Sequence, residues 1–211
     1  MENDFKKKMF RAIIIAGALL LLVMAACIPF LFESPSLYYK LGMDKTWLRT
    51  GKVMGVLAAM LILFQGVLVS RFSFLGRHFS LKRLFDTHGI CGRVILVLVL
   101  LHPFFIIAAE NFTVFSLEKR YWPEFVGVGL LILIIWIAGG AIWRIRLGIS
   151  QNTWRLQHRW GSLATVALLF VHVPFVSESF DSRIPLAGLG MAGLGAVLLF
   201  ARIYYKRFFG R

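Results

Sequence analysis

Residues 81–104 read LKRLFDTHGICGRVILVLVLLHPF, with His88 and His102 toward the two ends and a long apolar run between them. The two histidines are 14 residues apart, and a second pair at the same separation, His158 and His172, lies in WRLQHRWGSLATVALLFVHV at 154–173. An α-helix advances about 1.5 Å and 100° per residue, so the second histidine of each pair falls about 21 Å along the axis and within about 40° of the first in direction. Two such helices, side by side and codirectional, present two levels of facing imidazoles. Each level offers one haem iron a pair of nitrogen ligands, and two levels make a path for electrons across a bilayer.

Composition places this pattern in a membrane. Of the 211 residues, 59% are hydrophobic and 16% charged, and the apolar residues come in runs near the twenty or so needed to cross a hydrocarbon core of about 30 Å. Runs this long and continuous do not fit the alternating strands of about ten residues that build a barrel, so the backbone must satisfy itself as helix. Six spans are expected: Phe10–Phe32, Val53–Ser70, Leu84–Ala109, Phe125–Trp143, Arg159–Val176 and Ile184–Tyr204. The fold class is all-α and integral to the membrane, with six transmembrane helices in one bundle. The first span is too long for a cleavable signal and lacks a small-residue cleavage site. No Gly/Ser-rich or Pro-rich linker interrupts the chain, so residues 1–211 read as a single domain.

The cations give an orientation. Four lie at the N-terminus (Lys6, Lys7, Lys8, Arg11), four in the second loop (Arg71, Arg77, Lys82, Arg83), four in the fourth (Arg144, Arg146, Arg155, Arg159) and four at the C-terminus (Arg202, Lys206, Arg207, Arg211), which makes 16 of the 24 basic residues. The positive-inside rule then puts both termini in the cytoplasm, across the plasma membrane or a bacterial inner membrane. The net charge of +14 is topology and headgroup attraction, which argues for membrane lipid and against nucleic acid as a partner.

With that topology the third and fifth spans run in the same direction. His88 and His158 share a level near the cytoplasmic face, and His102 and His172 share one near the outer face. Ser80 and Ser150, each eight residues before its histidine, are cap candidates, and Pro103 and Pro174 are expected to close the two helices. Gly89, Gly92, Gly161 and Ser162 are small enough to let a flat macrocycle approach. A single membrane histidine reads equally well as an interhelical hydrogen bond; four at matched spacing favour ligation. Zinc would need ligands converging within a few ångströms, and the two levels are separated by about 20 Å. The cysteines, Cys27 and Cys91, form no C-x-x-C-H motif, so a covalent c-type haem is excluded and b-type remains. His78 lies outside the pattern and is expected to be solvated or to face headgroups.

Taken together, Asp86-Thr-His-Gly-Ile-Cys-Gly-Arg93, Leu100-Leu-His-Pro103, Trp154-Arg-Leu-Gln-His-Arg-Trp160 and Leu169-Phe-Val-His-Val173 resemble the ferric-reductase-type transmembrane domain. That family includes ferric reductases, NADPH oxidases and the haem subunit of a bacterial methionine sulfoxide reductase system. The similarity covers roughly Thr50 to Arg211. It implies two stacked b haems, the inner held by His88 and His158 and the outer by His102 and His172. In many relatives a flavin and nicotinamide dehydrogenase domain follows the sixth helix. No such segment lies within 1–211, so FAD and NAD(P)H are expected only through a partner or a missing domain. The sulfoxide reductase subunit is a stand-alone relative but lacks the full set of four histidines.

The expected function is an oxidoreductase membrane subunit that moves electrons from a cytoplasmic flavin- or nicotinamide-linked donor to an outer acceptor such as dioxygen or a ferric chelate. Six-coordinate irons leave no open site, so transfer would be outer-sphere, and no acid, base or nucleophile is required. One alternative is a quinone-linked haem subunit serving a periplasmic reductase partner; another is a non-redox transporter or scaffold. Arg93, inside the third span five residues past His88, is the best candidate partner for a haem propionate, with Arg159 and Arg77 weaker. Trp154, Trp160, Phe104, Phe105 and Phe170 are candidates for packing on porphyrin, though belt positions are the commoner use. Gly188-Leu-Gly-Met-Ala-Gly193 matches G-x-G-x-x-G but sits in an apolar span without strand context, so it reads as close helix packing through Gly188 and Ala192. Asn111-Phe-Thr113 is a weak glycosylation match.

Overall fold

The computed structural model describes residues 2–70, 72–112 and 118–208, with side chains over 4–205 of these. Arg71, Thr113 and Arg211, and the side chains of Lys206 and Arg207, lie outside the described residues. The elements are helices α1 (Glu2–Leu31), α2 (Pro35–Tyr38), α3 (Gly42–Val69), α4 (Ser73–His78), α5 (Leu81–Ala108), α6 (Trp122–Trp143), α7 (Gln151–Val176) and α8 (Arg183–Phe208), with short 3₁₀ turns at Lys119–Tyr121 and Glu178–Asp181. Six of these, α1, α3, α5, α6, α7 and α8, are long and apolar enough to cross a membrane. The described chain is all-helical, as the sequence predicts.

Most helices start earlier than their apolar runs because the polar first turns extend past the hydrocarbon. Ser80 Oγ accepts from Arg83 N at 3.3 Å and Ser150 Oγ accepts from Thr153 N at 3.1 Å, so both expected caps form. The prolines behave differently. Pro103 and Pro174 both lie within their helices, and α5 runs on to Ala108 beyond Pro103. Each removes one backbone donor, a loss that a membrane bundle tolerates where neighbouring helices and local adjustment satisfy the freed carbonyl.

The beginning of α1 and the end of α8 lie at one end of the bundle. Phe10 stacks on His78 with ring centres 5.3 Å apart, and the Arg202 guanidinium sits 4.5 Å from the Phe72 ring, so the early turns of α1 meet the end of α4, and the end of α8 meets the residue before α4. This is the basic end. At the opposite end Glu33 bridges Lys45 at 2.7 Å and Arg49 at 2.6 Å, joining the chain after α1 to the first turns of α3. The hydrogen bond from Lys45, aided by the charges of Lys45 and Arg49, holds the Glu33 carboxyl below the usual range.

The bundle is built from two antiparallel pairs, α3 with α5 and α6 with α7, while α1 lies along α3. α5 and α7, which carry the histidines, approach each other little along their backbones. Between the two histidine levels the pairs meet through Ala58, Ile62, Ile95, Val99, Leu130, Ile134 and Leu169. Apolar side chains on the outer faces of α1 and α8, such as Leu19, Leu20, Val197 and Leu198, are exposed, as lipid contact requires.

Candidate functional site

The inner histidines meet between α5 and α7. At the basic end the rings of His88 and His158 have centres 6.0 Å apart, inclined at 71°, and the Trp154 ring lies 5.1 Å from that of His158 on its own helix. Both Nδ1 atoms of this inner pair are buried without a hydrogen-bond partner among the described residues. The outer pair is held differently. His102 Nδ1 donates to the Gly51 carbonyl at 2.8 Å, and His172 Nδ1 donates to the Pro123 carbonyl at 2.9 Å. A carbonyl only accepts, so the proton is on Nδ1 of each outer ring and the Nε2 lone pair is left free.

Glycines make room for the outer rings. A Cβ on Gly55 would stand 2.9 Å from His102 Cε1, and one on Gly127 would stand 2.5 Å from His172 Cε1, both closer than carbon atoms pack. On the inner level Gly92 leaves space for Gln65, whose Nε2 would be 3.4 Å from a Cβ there, and Gly161 accommodates Ile137 of α6. Ser162 Oγ donates back to the His158 carbonyl at 2.6 Å. The small residues beside the first histidines thus serve helix packing and one carboxamide, and only Gly89, Gly92 and Ser162 among them line open space.

That space is a cleft of about 2450 Å³ bordered by α1, α3, α5, α6, α7 and α8, well above the roughly 300–1,000 Å³ of an ordinary ligand pocket. It brings together His88, His158, Gln65, Arg93, Trp154 and Arg159. His102 and His172 do not border it, and Arg77 lies apart on α4. The Arg93 guanidinium lies back toward the His88 turn, with Nη1 4.0 Å from where a Gly89 Cβ would be, and no carboxylate pairs with it among the described residues.

The aromatic candidates divide. Trp154 is at the site; Phe104 and Phe105 join Trp47 in a cluster at the outer end; Phe170 packs on Gly193 of α8; and Trp160 is exposed. Gly193 therefore makes the close approach that was expected at Gly188, which has nothing near its Cβ position. His78 is half-buried between Phe10 and Phe74 rather than open to solvent. Cys27 and Cys91 are free and on separate helices.

Sequence reasoning overlooked Gln65 and the glycines behind the outer rings. A lone carboxamide in an apolar span and the Gly51-x-x-x-Gly55 spacing were signals available for them. The Pro123 carbonyl had none, because any residue there offers the same atom.

Fold and site together define a six-helix membrane protein with paired imidazoles on two codirectional helices. The sequence model of the family described as ferric reductase like transmembrane component matches residues 54–176, more than half the chain, and the chain belongs to that family. It is thereby an oxidoreductase-type membrane domain. No curated protein and no solved structure matches the chain.

The residues fit the haem that such a family implies. Among the described residues no three His, Cys, Asp or Glu side chains converge as a metal group, and each level supplies two donors, the number a macrocycle with four nitrogens of its own leaves open. His88 and His158, with ring centres 6.0 Å apart, border a cleft large enough to take such a macrocycle and would hold it at the inner level.

Proposed function

We propose that this protein carries electrons across the membrane through two b-type haems, from a cytoplasmic flavin- or nicotinamide-linked donor to an acceptor of the dioxygen or ferric chelate type on the outer side. The observation that carries the reading is the pair of imidazole levels, the inner with ring centres 6.0 Å apart beside a large cleft and the outer with both Nδ1–H groups tied to backbone carbonyls. When bound, haem supplies a one-electron iron couple at each level.

The chain's own residues do the rest. His88 and His158 hold the inner group, and His102 and His172 the outer. The carbonyls of Gly51 and Pro123 fix the tautomer and direction of the outer rings, a restraint that also raises the donor strength of Nε2. With two histidines given to each group, no ligand position would be needed by substrate, and transfer to the acceptor would be outer-sphere. The apolar layer from Ala58 to Leu169 keeps water from the space between the levels. Arg93, unpaired by any described carboxylate and bordering the cleft, is assigned to an inner propionate. With the basic end in the cytoplasm, donors dock there and electrons leave at the opposite end.

The test is cofactor content by haemochrome assay and by reduced-minus-oxidised spectra. The unmodified, fully loaded chain is expected to carry two haems. Replacing His102 or His172 with alanine should leave one, still reducible from the basic face, and Arg93→Leu should weaken retention of the inner haem more than Arg93→Lys does. A ratio near one in the unmodified chain, or full retention in every histidine variant, would overturn the assignment.

A further inference from the structure

Gly51 and Gln65 are 14 residues apart on α3, and His102 and His88 are 14 apart on the antiparallel α5. The register of the pair is therefore marked at both levels. Gly51 O accepts from His102 Nδ1 at 2.8 Å, and Gln65 Nε2 donates to the backbone carbonyl of His88 at 3.1 Å. Gln65 stands opposite the inner histidine as Gly51 stands opposite the outer one.

The levels differ in what is left over. At the outer level the Nδ1–H has its acceptor. At the inner level Gln65 Oε1 and His88 Nδ1 are both buried without partners among the described residues, and both residues border the cleft. A buried polar atom left unsatisfied is costly, and here an unpaired oxygen and an unpaired ring nitrogen belong to residues already joined by one hydrogen bond. Arg93 and Trp154, bordering the same cleft, carry donors only. The carboxamide lies against Gly92, its Nε2 at contact distance, 3.4 Å, from where a Cβ there would stand.

We infer that Gln65 is a positioning residue for the inner haem: its Oε1 accepts the Nδ1–H of His88 when Nε2 of that ring ligates iron, while its Nε2 keeps hold of the His88 backbone. Nε2 can ligate only with the proton on Nδ1, and a ligating histidine needs an acceptor for that second N–H to fix its tautomer and ring direction. One carboxamide then does at the inner level what a backbone carbonyl does at the outer. An acceptor on Nδ1–H also enriches Nε2 and favours the ferric state, so Gln65 lowers the inner potential.

The inference rests on the haem reading above, and redox titration of the full chain, followed optically and by electron paramagnetic resonance, separates the two. The inner haem is identified as the one missing from His88→Ala. Gln65→Leu should shift the midpoint potential of that haem upward and leave the other in place. Gln65→Glu, which keeps an acceptor oxygen, should hold the inner potential at or below that of the unmodified chain. If Gln65→Leu sheds the inner haem, retention of that haem in Gln65→Glu supports the inference and loss in both variants overturns it. Two haems with unmoved potentials in both variants, or equal shifts of both haems, overturn the role of Gln65 alone. An unmodified chain that binds no haem overturns the haem reading and this inference with it.

Discussion

Gly127 stands where an added methyl carbon would lie 2.5 Å from His172 Cε1, and Gly55 where one would lie 2.9 Å from His102 Cε1. Neither ring can retreat freely, because its Nδ1 is tied to a carbonyl on the helix that brings the glycine. Overpacking of this kind costs about 1–3 kcal/mol. Gly127→Ala and Gly55→Ala are therefore expected to lower the thermal midpoint in detergent and to displace the His172 and His102 rings respectively. Gly129→Ala, at a position with nothing within 4 Å of its Cβ, should leave both unchanged. Unaltered stability and spectra in Gly127→Ala would show that the ring has room the structure does not give it. The four imidazoles were legible as a set in the sequence, since their spacing and apolar surroundings are local properties. The partners of each ring were not, because hydrogen-bond acceptors on α3 and α6 meet α5 and α7 only through tertiary register.

Elements repeat the pattern. α5 and α7 each begin with a serine whose hydroxyl accepts a backbone N–H, from Arg83 and Thr153 respectively, and each cap lies eight residues before a histidine. These caps set where the helices start and hence that His88 and His158 share a level. Removing an N-cap hydroxyl costs about 1 kcal/mol. Ser80→Ala and Ser150→Ala should each lower stability by about that amount in reversible unfolding, with additive effects because the caps are on different helices. A loss many times larger would mean that the serines carry more than a cap. Helix number and sites of initiation could be read from the sequence, because hydropathy and capping are written along one segment. The course of α5 beyond Pro103 could not: proline ends a helix in water, but inside a bundle its neighbours decide whether the turn continues.

At the scale of the whole molecule the charge is divided between ends. Lys8, Arg11, Arg77, Lys82, Arg83 and Arg202 gather where α1 begins and α8 ends, while Glu33, Glu110 and Glu178 accompany the cations at the other end. A donor with an acidic surface should therefore associate with the basic end at a rate that falls as salt rises. In proteoliposomes of known orientation, such a donor on the basic face should drive reduction of an impermeant acceptor on the other, and His88→Ala or His158→Ala should stop it. Equal rates from both faces would remove the direction. What the sequence determined by itself was whatever follows from one segment at a time: six spans, a basic side, two histidine pairs and the family they resemble. Only the tertiary structure decided that α5 and α7 stand apart across a large cleft, that Gly51 and Pro123 supply acceptors, and that Gln65 faces His88. Those facts depend on the register between antiparallel helices, and a one-turn slip of α3 against α5 would leave every local pattern intact while moving each partner about 5.4 Å.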